Sequence, residues 1–283
     1  MALGVLAGLV GAAFLAPVVL SALGVPAPNE IDSSSLSPTF GVPSGPDWSH
    51  PFGVDWLGRD VLSRTAAGLR SSLQVAGIAV SFALVLGVSL GMVAGYRGGA
   101  ADWTISRSIE LFLVIPYVAL AAGIATSCSR SEGCVGGAVR PGYLLTGTVI
   151  GLATWPLVAR LVRERTRQMR DAGFIEAARV QGAGGLRIIF TEIFPNLLRP
   201  LAALAIVLIP QAILAEAGLT FLGIGLPGGV PSWGGMISAG AQTFPAGWWV
   251  LAFPGAALFA SVLVLSFLVE PSRRGRVGWG AAS

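Results

Sequence analysis

The sequence predicts an all-α polytopic membrane protein with six transmembrane helices, and three observations carry that prediction. Of its 283 residues, 54% are hydrophobic and 11% charged, whereas an ordinary soluble domain has about a quarter charged. Six stretches are apolar enough, and long enough at about 20 residues each, to cross a hydrocarbon core of about 30 Å. The arginines between those stretches alternate in density from one connection to the next, as expected when basic residues collect on the cytoplasmic side.

Taken in order, the expected helices cover about residues 2–24, 72–95, 109–126, 143–162, 200–222 and 248–269. Each is read as a helix despite its glycines and prolines, because unpaired backbone groups are too costly in lipid. Pro17, Pro116, Pro210 and Pro254 are expected to mark kinks or span ends. Residues 1–24 carry no basic segment ahead of the apolar run, so they are read as a first transmembrane helix rather than a cleaved signal.

Orientation follows from the basic residues, all eighteen of which are arginine. With the N-terminus inside, thirteen fall in cytoplasmic segments. Eight of those lie between Arg160 and Arg199, with others at Arg97, Arg107, Arg273, Arg274 and Arg276. Both termini are therefore expected in the cytoplasm, with residues 271–283 as a cytoplasmic tail. The absence of lysine excludes a P-loop lysine, so the chain is no P-loop ATPase by itself. The net charge of +4 is too thinly spread, and the apolar runs too long, for nucleic acid to be a partner.

Residues 25–71 are expected outside the cytoplasm, as a Ser- and Pro-rich connector followed by a stretch from His50 to Arg70 that lies along the interface as a helix. His50 is the only histidine and is read as structural. Cys128 and Cys134 lie in a short external loop, where they could close a disulfide or remain free thiols. Glu216 is the one acidic residue well inside an expected span. A carboxylate there must face a protein interior or a wet cavity, so it lines a transport pathway or bonds a neighbouring helix. Gln211 and Gln74 are weaker cases.

The connection from 160 to 199 is too long for a tight turn and too patterned for a solvated tail. Asp171 is expected to cap a short helix through Phe174 to Val180 that ends in the region Gly182 to Gly185. A second helical run from Leu186 to Phe194 is expected to stop at Pro195. Two short helices with apolar residues and a basic rim make a docking element within the transmembrane core of residues 72–270.

That connection carries Glu176-Ala177-Ala178, Gly182 after three residues, and Ile193-Phe194-Pro195 further on. It resembles the EAA loop of ABC importer permeases, with Phe194 where leucine is preferred and Glu192 where isoleucine is. The segment from His50 to Arg64 is similar to the external segment of the DppC/OppC-like permease of dipeptide and oligopeptide importers. The run from Ile213 to Gly223, followed by Pro231-Ser232-Trp233-Gly234, is similar to the end of span five in the same subunit. The resemblance covers roughly residues 50–270; the tail after Glu270 lacks the acidic pattern expected of the family.

The resemblance implies a type I permease fold in the cytoplasmic (inner) membrane of a prokaryote. It also implies a second, DppB/OppB-like permease, two ATPase subunits or one fused ATPase, and an external solute-binding protein. ATP and Mg would be bound by the ATPase subunits and no cofactor by this chain, which is then a transport subunit rather than an enzyme. Glu176, Ala177, Ala178, Gly182, Ile193 and Pro195 become the ATPase-coupling residues, and peptides the expected cargo, with nickel or metal chelates as the alternative within the family. A secondary transporter or a membrane scaffold is the alternative of another class; against the former, no internal repeat is visible.

Overall fold

The computed structural model describes residues 2–36, 43–130 and 142–267, which are helical apart from connections and two isolated β-bridges. Helix α1 spans Ala2–Ala22, α2 Val61–Arg97, α3 Gly99–Val114, α4 Tyr117–Arg130 and α5 Tyr143–Arg170. The short α6 covers Gly173–Val180, and α7 runs from Gly185 to Phe221. The bundle is completed by α8, Trp233–Gln242, and α9, Trp248–Phe267. Among the described residues α2, α5, α7 and α9 are each long and apolar enough to cross a membrane, and α3 with α4 forms one sharply bent pair.

The core is the contact between α2 and α5. On α2, small residues recur every fourth position as Ala79, Ala83, Gly87, Gly91 and Gly95, which is one face of a helix. A Cβ at Gly87 would lie 2.6 Å from Val158 Cβ, one at Gly91 2.7 Å from Ala159 O, and one at Gly95 2.6 Å from Arg163 O. From the other side, Gly147 meets Ile78 and Gly151 meets Ala79 and Phe82. The partners rise together along both helices, so α2 and α5 are parallel. In lipid, where tails are as apolar as leucine, such backbone-to-backbone approach supplies the packing that holds helices together.

Parallel neighbours require the chain between them to return, and α3 with α4 makes that return. The side chain of Arg163, near the end of α5, grips Asp102 at the start of α3, with Nη2 2.9 Å from Oδ2. The bend between the two helices, 88°, falls at Ile115 and Pro116. Proline pushes the preceding residue out of the helical region, and Ile115 is extended. Span three, expected as one helix over 109–126, is therefore broken.

Helix α7 runs antiparallel to α2: Gly185 lies against Tyr96 at one end, and Glu216 bonds Ser72 at the other. The start of α9 packs against the segment before α2, through Trp249 under Gly53. Three expectations are corrected here. Residues 61–71 form the first turns of α2 and not a separate interfacial helix. The 160–199 connection is mostly helix, because α5 continues to Arg170 and α7 begins at Gly185. Pro195 does not stop the second run. A π-type stretch over Ile188–Ile193, with Phe194 N–H bonded to Ile189 O, widens the helix just ahead of the proline, and the helix continues. Pro17, Pro210 and Pro254 likewise fall inside helices, leaving Pro116 as the one of the four at a helix end.

We predict that Gly91→Leu lowers the thermal stability of the detergent-solubilised chain by about 1–3 kcal/mol, the cost of overpacking a tight contact. Gly77→Ala, on the same helix but with nothing within 4 Å of an added Cβ, is expected to be neutral or stabilising. Equal effects of the two would refute the packing role.

Candidate functional site

Two ends of the bundle concentrate the residues that carry chemistry. At the α6 end, α5 closes on Asp171, whose carboxylate accepts from Arg170 Nε at 3.0 Å. The arginine beside it holds the Asp171 carboxyl below its ordinary range. Asp171 therefore ends α5, and the N-cap of α6 is Ala172, which corrects the expected capping role.

Helix α6 is fixed to the bundle by Ile175, which is fully buried, and by Ala178, which packs on the core. Glu176 and Ala177 lie on its exposed side. Its exit is a Schellman turn: Gly182 N–H donates to Arg179 O at 2.9 Å and Ala183 N–H to Ala178 O at 3.0 Å. The turn holds Gly182 at φ +83°, a conformation a side chain rarely adopts. Around it Phe174, Val180, Leu186 and Phe190 are exposed, with Val180 85% accessible. Ile193 is buried inside the π-type stretch, and Pro195 follows on the exposed side. The sequence motif thus divides into an outward part, Glu176 and Ala177, a bend at Gly182, and an inward anchor, Ala178 and Ile193.

At the opposite end, residues 43–60 fold into a cap over the start of α2. Asp60 is the N-cap of α2, accepting from Ser63 N–H at 2.7 Å, and its Oδ1 also lies 3.0 Å from His50 Nδ1. Asp55 accepts from Leu57 and Arg59 backbone N–H groups and from the Arg59 side chain. Arg64 is 4% exposed and donates to Pro28 O and Asn29 Oδ1. On the connector, the Ser34 and Ser35 hydroxyls hold the Asp32 carboxyl down at about 2. His50 is structural here, tying the cap to α2.

The stretch from Ile213 to Gly223, with Pro231 to Gly234, makes the junction of α7, α8 and α2. Ser232 caps α8 through Gly235 N–H at 3.1 Å, and Trp233 Nε1 donates to Thr65 O at 2.8 Å over Gly68. A Cβ at Gly234 would stand 2.1 Å from Ala217 O, so only glycine fits there. Glu216 is fully buried and accepts from Ser72 Oγ at 2.7 Å and from Thr220 Oγ1 at 3.0 Å. Of the two readings the sequence left open, the geometry shows the bond to a neighbouring helix, through Ser72 on α2. Gln211 is exposed and borders a cleft of about 470 Å3 at the α3–α4 break, with Phe112, Pro116, Thr154 and Leu157. Gln74 is half-buried on α2. Cys134 lies outside the described residues, and with it any pairing to Cys128 near the end of α4.

Sequence reasoning missed Ser72, Thr65, Asp102 and Arg163, whose partners are distant in the chain. It also missed the four-residue spacing of small residues on α2, which a search for small-xxx-small patterns would have found.

The arrangement defines a multi-pass α-helical membrane subunit with a surface helix held between two long bundle helices. The model of the binding-protein-dependent transport system inner membrane component family matches residues 87–275. The dipeptide transport system permease protein DppC of Alkalihalophilus pseudofirmus is 34% identical over 267 residues, covering 94% of this chain and 83% of that protein. The di/tripeptide transport system permease protein DppC of Pseudomonas aeruginosa is 32% identical over 221 residues, 78% of this chain and 69% of its own. Among solved structures, the MetNI methionine ABC transporter in an inward-facing form aligns at a TM-score of 0.57 and 19% identity, covering 75% of this chain and 95% of that one. The chain belongs to the family of binding-protein-dependent transport system inner membrane components, and is a permease subunit of an ABC importer.

We predict that Glu216→Leu, which leaves two buried hydroxyls without their acceptor, costs about 1–3 kcal/mol of stability, while Glu216→Gln retains most of it. Thermal unfolding of the two variants checks this; a Leu variant as stable as the parent would contradict it.

Proposed function

We propose that this chain forms half of the translocation pore of an importer that carries di- and oligopeptides across the inner membrane of a prokaryote. The observation that carries the coupling part of this reading is α6: a short helix that buries one side, exposes Glu176 and Ala177, and is ringed by exposed Phe174, Val180, Leu186 and Phe190. Exposed apolar surface of this extent, beside a fixed turn at Gly182, suits a partner subunit. That partner is an ATPase, as two subunits or one fused chain, which binds ATP and Mg and performs the hydrolysis. This chain supplies no catalytic residue. Peptide cargo is supported by the DppC relatives, whose names specify dipeptides and di/tripeptides.

Six crossings follow if α1 and the bent α3–α4 pair each count as one. The helix directions agree with this: α2, α5 and α9 run away from the cap, and α7 runs towards it. The α6 end is then cytoplasmic, which agrees with the arginines between Arg160 and Arg199, and both termini fall on that side. The cap end receives an external solute-binding protein. The second permease subunit packs where Gln211 and the α3–α4 cleft are open, so Gln211 and not Glu216 is the pathway candidate.

Two expected outcomes test this. In the reconstituted importer, Gly182→Pro, whose ring cannot reach a positive φ, and Glu176→Ala should both break the link between ATP hydrolysis and peptide uptake while cap and bundle remain folded. Parental uptake and substrate-stimulated hydrolysis in both variants would refute the coupling role. In cells, a cysteine at Arg167 should be shielded from a membrane-impermeant reagent and one at Ser44 labelled; the reverse pattern overturns the orientation.

A further inference from the structure

A cavity of about 480 Å3 lies at the cap end, bounded by Asp55, Arg59 and Arg64 on one side and by the Gly-rich turn after α7 and the start of α8 on the other. It falls within the volume range of small-molecule sites, about 300–1,000 Å3. Its charge is unbalanced, with two guanidiniums facing one carboxylate. Asp55 is committed to Arg59, with Nε at 2.8 Å and Nη2 at 2.7 Å from Oδ2. Arg64 is 3.7 Å from the same oxygen, beyond hydrogen-bond distance, and its Nε is buried without a hydrogen-bond partner among the described residues. A buried donor on a charged group is costly to leave unmatched.

The far wall is neutral and mixed: Thr220, Ser232, Ser238 and Gln242 stand among apolar residues such as Leu226, Val230 and Met236. The turn is tied to the near wall, because Asn29 accepts from Arg64 Nη1 at 2.8 Å and donates through Nδ2 to Gly229 O at 2.9 Å. A guest reaching Arg64 would therefore be felt by the backbone of residues 223–230.

We propose that this cavity binds a small carboxylate-bearing solute, with Arg64 as the principal donor and Arg59 as the second. A planar carboxylate matches a guanidinium fork, and its charge offsets the excess of two guanidiniums over the one carboxylate of Asp55 in the cavity lining. The geometry of the cap is sufficient for this, independent of which cargo the importer carries.

The test is hydrogen exchange, read by mass spectrometry on the peptide spanning residues 223–230, in the assembled importer in nanodiscs at fixed ionic strength. Sodium acetate is expected to slow exchange several-fold and saturably, whereas acetamide and sodium chloride leave it unchanged. Arg59→Gln, at a more accessible position, and Arg64→Lys, which keeps the charge but not the fork, should each raise the half-saturating acetate concentration about tenfold or more, the worth of one charge-assisted bond. Equal protection by acetamide, protection only when the external solute-binding protein is added, or unchanged acetate response in both variants would overturn the proposal. Because the readout is local exchange, a change of cargo leaves its outcome unaffected.

Discussion

Everything in this subunit depends on how closely α2 and α5 approach. Their axes can come together only because Gly87, Gly91 and Gly95 meet Val158, Val162 and Thr166, and Gly147 and Gly151 meet Ile78 and Phe82. The contact is long and runs in one register, so it fixes depth as well as distance between the two helices. Water is not expelled from such an interface when it forms in lipid, so its strength comes from dense van der Waals contact. A methyl group at any of these glycines would press into the facing helix, where an added Cβ would lie within 3 Å of a neighbour.

Around that pair, specific polar contacts help attach α3, α7 and α8. Arg163 fixes the start of α3 through Asp102, and Glu216 on α7 takes the hydroxyl of Ser72 on α2. Trp233 closes α8 over Gly68 with one bond to Thr65 O. Each of these polar contacts is shared between elements far apart in the chain, and each satisfies a group that would be costly unpaired in an apolar setting. Packing gives the bundle its strength, and the polar contacts give it one arrangement.

The long helices α2, α5, α7 and α9 were legible in the sequence because apolar length is a strong signal. The EAA-like motif was legible through its residue types, and its turn at Gly182 because glycine alone suits that backbone. Less visible was where helices end. The solvated continuation of α5 from Arg163 to Arg170 is rich in arginine and looks like a loop by hydropathy, although arginine is a good helix former. Pro195 looks like a stop because the π-type turn that absorbs it has no sequence signature. Glu216 was identified as exceptional, but its facing direction depends on Ser72, more than a hundred positions away, which no local pattern reveals.

The same architecture sets how a push at α6 would travel. Helix α7 has 37 residues without a break, so it reaches about 55 Å at about 1.5 Å per residue. Its first turns carry exposed Leu186 and Phe190 beside α6, and its last turns hold Glu216 and Thr220 at the cap. Between Val180 and Gly185 the chain is a short glycine-rich turn, whereas Ile175 and Ala178 seat α6 on the bundle itself. A displacement of α6 would therefore bear on the first turns of α7, against which it packs, rather than be absorbed in a loop. The α3–α4 pair, bent at Pro116, forms one wall of the cleft through Phe112 and Pro116, and Thr154 on α5 and Gln211 on α7 form the other. Movement of one wall relative to the other would widen or narrow the cleft, so a push that reaches α7 acts on one of its walls.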